Sequence, residues 1–374
     1  MTKIILKGYY GFGNLGDDIL MLTTYKIVRD IFPQAEIWIS SESKNPEYIH
    51  KFLPDVKITN SSQDIEVDWV IHGGGGVFFD FKEHSIIYEI INWCIKAIGY
   101  RAYSKVYDFY QRLKGNKHTK LKARAGLGIG VGTYTRSSNR FYSDILSLSN
   151  FNILLVRDDP SVTNAQQYCN SINIHKATDL AFLADHWMPG DISVSAKKES
   201  IGFILRDWTF NNHVSVLVLV AKKLHSQGHE VKFFSFDEIS DSQFIKSVSS
   251  FGSTYCWRPN EIKLDCFLSE LMTCQLVISS RAHGAIISTC LGIPVLCVCI
   301  EPKLTQVAAM LKDSARTIVE PFDQDKIYSY ILETLNELPS LKEGTHGDVA
   351  RNRQEMLNGV SLFRSFISNY RVPQ

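Results

Sequence analysis

The chain has 374 residues, 45% of them apolar and 21% charged, with a formal net charge of +1. That length accommodates two domains of ordinary size, and the balance is that of a globular protein rather than a disordered or collagen-like one. So small a net charge gives no global field for nucleic acid or a strongly acidic partner; the first apolar run is too short for a signal peptide and no later run reaches spanning length, so a cytoplasmic location is expected.

Residues 3–7 read as a first strand. A turn holding Gly11, Gly13 and Gly16 feeds a helix over about 17–32, with apolar positions at Ile19, Leu20, Leu22, Ile27 and Val28. Alone, G-x-G-x-x-G is a weak dinucleotide signal, and the Asp17 and Asp18 that follow would repel a pyrophosphate. These two acids read either as helix-capping charges or as groups for a sugar hydroxyl, one serving as general base. Strands follow at 36–41 and 67–72, the second running into Gly73–Gly76. Four consecutive glycines cost chain entropy unless backbone approaches something closely, so a substrate-lining role is set against a tight turn. A helical pattern rich in aromatics covers 83–115, and every charge in 113–124 is positive. That stretch reads as a solvated loop or as a basic edge facing a membrane surface or a phosphate-bearing acceptor.

A glycine-alternating strand over 125–132 precedes a helix over about 140–148. The strand over 152–158 ends in Arg157 and Asp158, a pair that suits a structural ion pair and a ligand contact equally. After another extended segment, the polar stretch 187–200 reads as a linker. A second α/β series begins at Ile201, with Arg206 at the carboxyl end of its first strand. A helix over 212–227, a strand over 230–236, a helix over 261–273 and a strand from Leu276 follow. Next come a short helix, the stop Gly292-Ile-Pro294 and a further apolar strand. An extended segment at 316–319 and helices over 323–338 and 348–370 close the series. The pattern predicts an α/β fold of two Rossmann-like, doubly wound domains facing a cleft, with residues 1–188 the first and 198–345 the second. Residues 346–374 are expected to form a helix packing back on the first. The eight cysteines contain no C-x-x-C pair and read as small buried hydrophobes.

The most informative stretch is the polar turn after Leu276-Val-Ile. It puts Ser279, Ser280, Arg281 and His283 between the carboxyl end of a strand and the amino end of a helix. Backbone N–H groups and the helix dipole favour an anion there, Arg281 offers a planar fork for phosphate or carboxylate, and His283 titrates near neutrality. No cluster has metal-ligand spacing, so neither metal nor resident cofactor is expected.

Gly11-Phe-Gly-Asn-Leu-Gly-Asp-Asp18, the glycines after Val70-Ile71, Val156-Arg-Asp158 and above all Ser280-Arg-Ala-His-Gly-Ala-Ile286 with Gly292-Ile-Pro294 resemble the polysaccharide pyruvyl transferase family. Glu301-Pro-Lys303 resembles the family's Pro-Lys pair; a departure is Asp18, where many members carry Glu. The resemblance implies a fold like that of the two-domain GT-B glycosyltransferases, with phosphoenolpyruvate as co-substrate and a sugar or lipid-linked oligosaccharide as acceptor. Its product would be a pyruvate ketal on a surface polysaccharide or its precursor. It also implies that Arg281, His283 and Arg206 bind phosphoenolpyruvate, with Ser280 and Lys303 beside them. His283 would act as proton donor or phosphate clamp, and Asp17 or Asp18 as base. Gly13, Asn14, Gly74 and Gly75 are assigned to the acceptor side. Two alternatives stand: a GT-B glycosyltransferase using a nucleotide sugar, and a non-catalytic sugar-binding protein. The basic stretch adds peripheral contact with the inner membrane face as an expectation.

Overall fold

The protein is described here by a computed structural model covering residues 1–60, 65–78, 121–132, 134, 141–169, 172–190, 192, 199–207 and 212–370. The aromatic pattern at 83–115 and the start of the basic stretch lie outside the described residues. Two compact units emerge. One comprises Met1–Phe12, Leu20–Leu180 and Glu355–Gln374; the other comprises Gly13–Ile19 and Ala181–Gln354. This division departs from the expected domains in two places. Gly13–Ile19 belong with the second unit, and the boundary falls at Leu180/Ala181, ahead of the stretch read as a linker. Trp187 explains the second shift: it is buried and donates its indole N–H to the Ala181 carbonyl at 2.8 Å, so the linker's first residues are packed structure.

The first unit is an eight-stranded sheet whose described pairings are parallel. Its strands are β1 (Lys3–Lys7), β2 (Glu36–Ser40), β3 (Lys57–Thr59), β4 (Val67–Gly73), β5 (Gly76–Phe78), β6 (Leu121–Val131), β7 (Ile153–Val156) and β8 (Asn173–Lys176). They run in the order β3-β2-β1-β4-β6-β7-β8, with β5 on β6. Residues 121–124, expected within the basic loop, are instead the start of β6, where apolar and basic residues alternate as a strand requires. Helix α1 (Leu15–Ile31), α2 (Ile49–Phe52), α3 (Phe141–Ser149) and α4 (Asp159–Tyr168) follow their strands. Asp158 caps α4 by accepting the Ser161 N–H at 2.8 Å and pairs with Arg157 at 2.9 Å; both are buried, so this pair works within the fold.

The second unit is a six-stranded parallel sheet of β9 (Ser200–Ile204), β10 (Val231–Ser235), β11 (Ser253–Cys256), β12 (Cys274–Ser279), β13 (Val295–Val298) and β14 (Ala315–Ile318). Its order is β11-β10-β9-β12-β13-β14. Every residue of β9, β10 and β13 is buried, as in a parallel sheet covered on both faces, and the buried Lys232 of β10 donates to Thr273 Oγ1 at 2.9 Å. Phe203, Phe233 and Phe244 interlock with Leu276 and Leu296 in the core; each fully buried ring contributes roughly 1.5–3 kcal/mol. Helices α5 (His213–Ser226), α6 (Ser242–Val248), α7 (Leu264–Leu271), α8 (Ala282–Cys290), α9 (Pro302–Met310) and α10 (Gln324–Asn336) connect the strands.

Helix α11 (Leu338–Asn369) is one continuous helix of 32 residues, whereas the sequence pattern placed a break near 339–347. Of the two glycines in this stretch, Gly344 serves a close contact. A Cβ at Gly344 would stand 2.2 Å from the Asp313 carbonyl oxygen. One turn on, the buried Asp348 accepts the N–H groups of Asp313 and Ser314 at 3.1 and 2.9 Å. Within the first unit, Phe363 and Tyr370 of the C-terminal segment stack around Trp69, with centroids 6.4 and 5.3 Å away. Among the described residues no helix is long and apolar enough to cross a membrane. The seven described cysteines are free thiols; Cys297 is fully buried, and burial pushes its thiol well up.

Candidate functional site

In the second unit the strand order reverses between β9 and β12, and open parallel sheets hold ligands at such a point, beyond the strands' carboxyl ends. Register pairs Ser279 with Ile204, so the two strands run out side by side. Ser280 stitches their loops together. Its N–H donates to the Ile204 carbonyl at 3.0 Å, and its hydroxyl accepts the Arg206 N–H at 2.8 Å. The Ser279 hydroxyl donates to the Arg281 carbonyl at 2.8 Å and accepts its N–H at 3.1 Å. Helix α8 then sits hard against the sheet, because a Cβ at Gly284 would lie 2.5 Å from Ser279 Oγ. It ends at Gly292, whose φ of +72° makes glycine the residue for that stop.

Charged groups crowd this edge. Arg281 is nine-tenths buried and pairs through one guanidinium nitrogen with Asp241, which is fully buried. Asp241 also accepts the Ser235 hydroxyl at 3.0 Å; burial raises its pKa while Arg281 opposes the rise. The Arg281 Nε–H is buried and has no hydrogen-bond partner among the described residues. Arg206 faces Glu301 at 3.9 Å, and burial lowers its pKa, with the nearby Arg281 charge adding to the effect. His213, fully buried, lies with Nε2 3.1 Å from the Arg206 carbonyl, and burial drives its pKa down to about 4. Beyond β13, Glu301 and Glu320 line a cavity of about 480 Å³ together with Cys299, Pro302 and Thr305.

The first turn of α1 joins the same unit. Leu15 N–H donates to the Phe236 carbonyl at 2.9 Å, and the Asn14 side chain caps the helix by accepting the Gly16 N–H at 3.0 Å. Gly16 lies against His283: a Cβ there would stand 2.3 Å from Nδ1. The two aspartates now separate. Asp18 is buried and accepts the Trp257 indole N–H at 2.8 Å. Asp17 is half-buried; burial raises its pKa, and the charges of His283, Lys303 and Arg281 pull it back down.

Of the residues singled out from sequence, the structure brings Asp17, Arg206, Ser280, Arg281, His283 and Lys303 into one electrostatic neighbourhood. Asn14 is engaged as a cap, Asp18 with Trp257, and Gly13 packs near Pro259 with φ +75°. Gly13 and Asn14 therefore group with the second unit, not with the acceptor-side domain to which they were assigned. Gly74 and Gly75 belong to the first unit, where φ values of +69° and +82° turn the chain from β4 into β5. Sequence reasoning passed over Asp241, Trp257 and His213. Asp241 closes the polar run Asp237-Glu-Ile-Ser-Asp241, which carries no periodic signal. Among the described residues no three His, Cys, Asp or Glu converge as a metal site.

Two parallel α/β units, one with paired arginines, a histidine and a carboxylic acid at its switch point, define a GT-B-like group-transfer protein. The family model for polysaccharide pyruvyl transferases matches residues 14–298, and the chain belongs to that family. No match is found among curated proteins. Among solved structures, the Neisseria meningitidis UDP-GlcNAc 2-epimerase bound to UDP-GlcNAc is similar at TM-score 0.59 and 11% identity, over 97% of this chain and 100% of that one. Anabaena Alr3699/HepE in complex with UDP-glucose gives 0.59 at 8% identity, covering 99% and 100%. WaaG, a glycosyltransferase involved in lipopolysaccharide biosynthesis, gives 0.50 at 12%, covering 97% and 99%. At such identities the likeness is one of fold.

Proposed function

We propose that this transferase moves a pyruvyl group from phosphoenolpyruvate to two hydroxyls of a sugar, forming a cyclic ketal on a polysaccharide or its precursor and releasing phosphate. The observation that carries this reading is the convergence of His283, Lys303 and Arg281 on Asp17, with Arg206 beside Arg281 at the same switch point and a buried Arg281 Nε–H still open to an acceptor atom. Phosphoenolpyruvate carries two anionic groups, phosphate and carboxylate. The two guanidinium forks suit them, and the amino end of α8 adds N–H donors.

His283 donates a proton to the methylene carbon, giving an oxocarbenium-like centre at C2. One sugar hydroxyl adds to C2 and its proton passes to Asp17; the C2–O bond to phosphate breaks and phosphate leaves; the second hydroxyl then adds to C2 and closes the ketal. Of the two hydroxyl protons, one restores His283 and the other leaves with phosphate. Asp17 is preferred to Asp18 as base because burial holds its pKa above the ordinary range, whereas Asp18 is held by Trp257.

A nucleotide-sugar donor is the second reading, favoured by the UDP-sugars named with the similar folds. Calorimetric titration decides: phosphoenolpyruvate is expected to bind and UDP not, and the reverse would overturn the proposal. Incubation with phosphoenolpyruvate and a panel of sugar acceptors should then show the mass gain of a pyruvate ketal. In this reading the reaction takes place in the cytoplasm, on a sugar or a lipid-linked oligosaccharide acceptor.

A further inference from the structure

The first unit has its own switch point, between β1 and β4, and it is filled differently. Lys7 ends β1 and is the register partner of His72 on β4. Arg124 lies one strand further on, opposite Val70, two residues before His72. Parallel neighbours stand about 4.8 Å apart and residues two apart share a face, so all three basic side chains leave the same face of the sheet. Phe151 backs them: its ring lies 5.0 Å from the His72 ring and 5.8 Å from the Arg124 guanidinium carbon.

No acid pairs with this group among the described residues. Arg124 lowers the Lys7 pKa by its charge, second only to burial, and Glu42 opposes this more weakly. Burial, Arg124 and Lys7 together push His72 well below its ordinary value, and burial lowers Arg124 as well. The His72 Nε2 and Arg124 Nε atoms are out of solvent and make no hydrogen bond among the described residues. Lys7 is crowded by protein yet exposed to solvent, as a group lining a depression is. Three basic groups on one face, with buried ring and guanidinium nitrogens left without a partner among the described residues, are a charge arrangement completed by an anion.

From this we infer that Lys7, His72 and Arg124 form an oxyanion site for a phosphoryl group of the acceptor. The acceptor clause rests on the transferase reading above; the anion site itself does not. The donors suit a phosphate or diphosphate: a fork from Arg124, a point charge from Lys7 and a ring N–H from His72. Such a group reaches the protein either on a soluble sugar phosphate or on a lipid carrier.

The test uses the full chain carrying Arg281→Lys, so that the second unit does not compete. Inorganic pyrophosphate is titrated by calorimetry in two buffers of different ionisation enthalpy. Binding with proton uptake is expected, because an anion raises the pKa values of Lys7 and His72. Lys7→Met and Arg124→Met should each raise Kd at least tenfold. Lys7 is exposed, so its variant keeps the test valid if Arg124→Met fails to fold. Absence of binding at millimolar pyrophosphate, or binding that neither substitution weakens, would overturn the site. Glucose 1-phosphate and vesicles containing a prenyl phosphate, compared with neutral vesicles, then distinguish the two sources; retention of neither would overturn the acceptor assignment. Ketal formation by the chain with Arg281 intact is measured separately, so loss of the anion site and loss of the transferase reading give different results.

Discussion

The two switch points share a topology and differ in how charge is held. In the second unit each arginine has a carboxylate, Asp241 for Arg281 and Glu301 for Arg206, and backbone stitching through Ser279 and Ser280 fixes the loops that carry them. In the first unit Lys7, His72 and Arg124 share one face without such partners among the described residues; burial lowers the pKa of each, and the Arg124 charge lowers Lys7 and His72 further. The first arrangement holds its cations in fixed geometry before any ligand arrives, which is what transition-state stabilisation requires. The second gains its balancing charge from what it binds. On the two readings proposed above, equal topology yields one site for chemistry and another for retention.

Substitutions can break or sharpen that contrast. The largest effect is expected for Asp17→Asn: a fall in kcat on the order of 10³-fold, within the usual range for a general acid or base. The acid limb of the pH profile should vanish with it. With Asp17 as base, activity is expected to rise as pH climbs through its pKa, which burial raises above the ordinary carboxylate value. Lys303→Met removes one opposing charge and should move that limb to higher pH; a limb that does not move would remove Asp17 from the role.

Next, Arg281→Lys should raise KM for phosphoenolpyruvate by about 100-fold, since an ammonium cannot reproduce the fork. An unchanged KM would place the donor anion elsewhere. Gly16→Ala follows. The new methyl group meets His283 Nδ1 and must displace the ring, so a fall in kcat/KM of roughly tenfold with little change in Tm is expected.

Two smaller effects probe the scaffold of the second unit. His213 stays neutral in the folded protein down to about pH 4, whereas the unfolded chain protonates it near its ordinary value of 6.5. Its contribution is therefore present above pH 6.5 and lost as pH falls towards 4, by on the order of 3 kcal/mol. Urea unfolding at several pH values should show this slope, and His213→Gln should flatten it. Trp257→Phe removes the indole donor from the buried Asp18 and should cost about 2 kcal/mol with kcat nearly unchanged. A large kcat loss would return Asp18 to the chemistry.

Sequence made the central strands of both sheets legible because buried parallel strands are rich in apolar residues, and it made the 279–283 turn legible because polar residues there interrupt such a run; the short strands β3, β5 and β11 carry too few apolar residues to be read this way. What it did not reveal were partners chosen by the fold. Asp241 meets Arg281 across 40 residues and Trp257 meets Asp18 across 239, and no local pattern records either pairing. The same holds for Gly16 and Gly344, which look like turn or helix-break signals. Their lack of a side chain is demanded by His283 and by the Asp313 backbone, one distant and the other 31 positions away in sequence. Asp17 and Asp18 are identical in type and adjacent in order. Only their surroundings separate a titrating group from an anchored one.

Helix α11 has a consequence for how the protein is made. Its last residues, from Glu355, belong to the first unit, while the segment Gly13–Ile19, which interrupts the first unit's own chain, belongs to the second. Neither unit is therefore a contiguous stretch of chain. Trp69 waits for Phe363 and Tyr370 to cover it, and Ala177 for Gly359. A nascent chain that has left the ribosome only as far as Leu180 carries a sheet with one apolar flank still bare. The first unit closes only once Phe363 and Tyr370 have been made, so a chain cut before Glu355 leaves unfinished the half that was synthesised earlier.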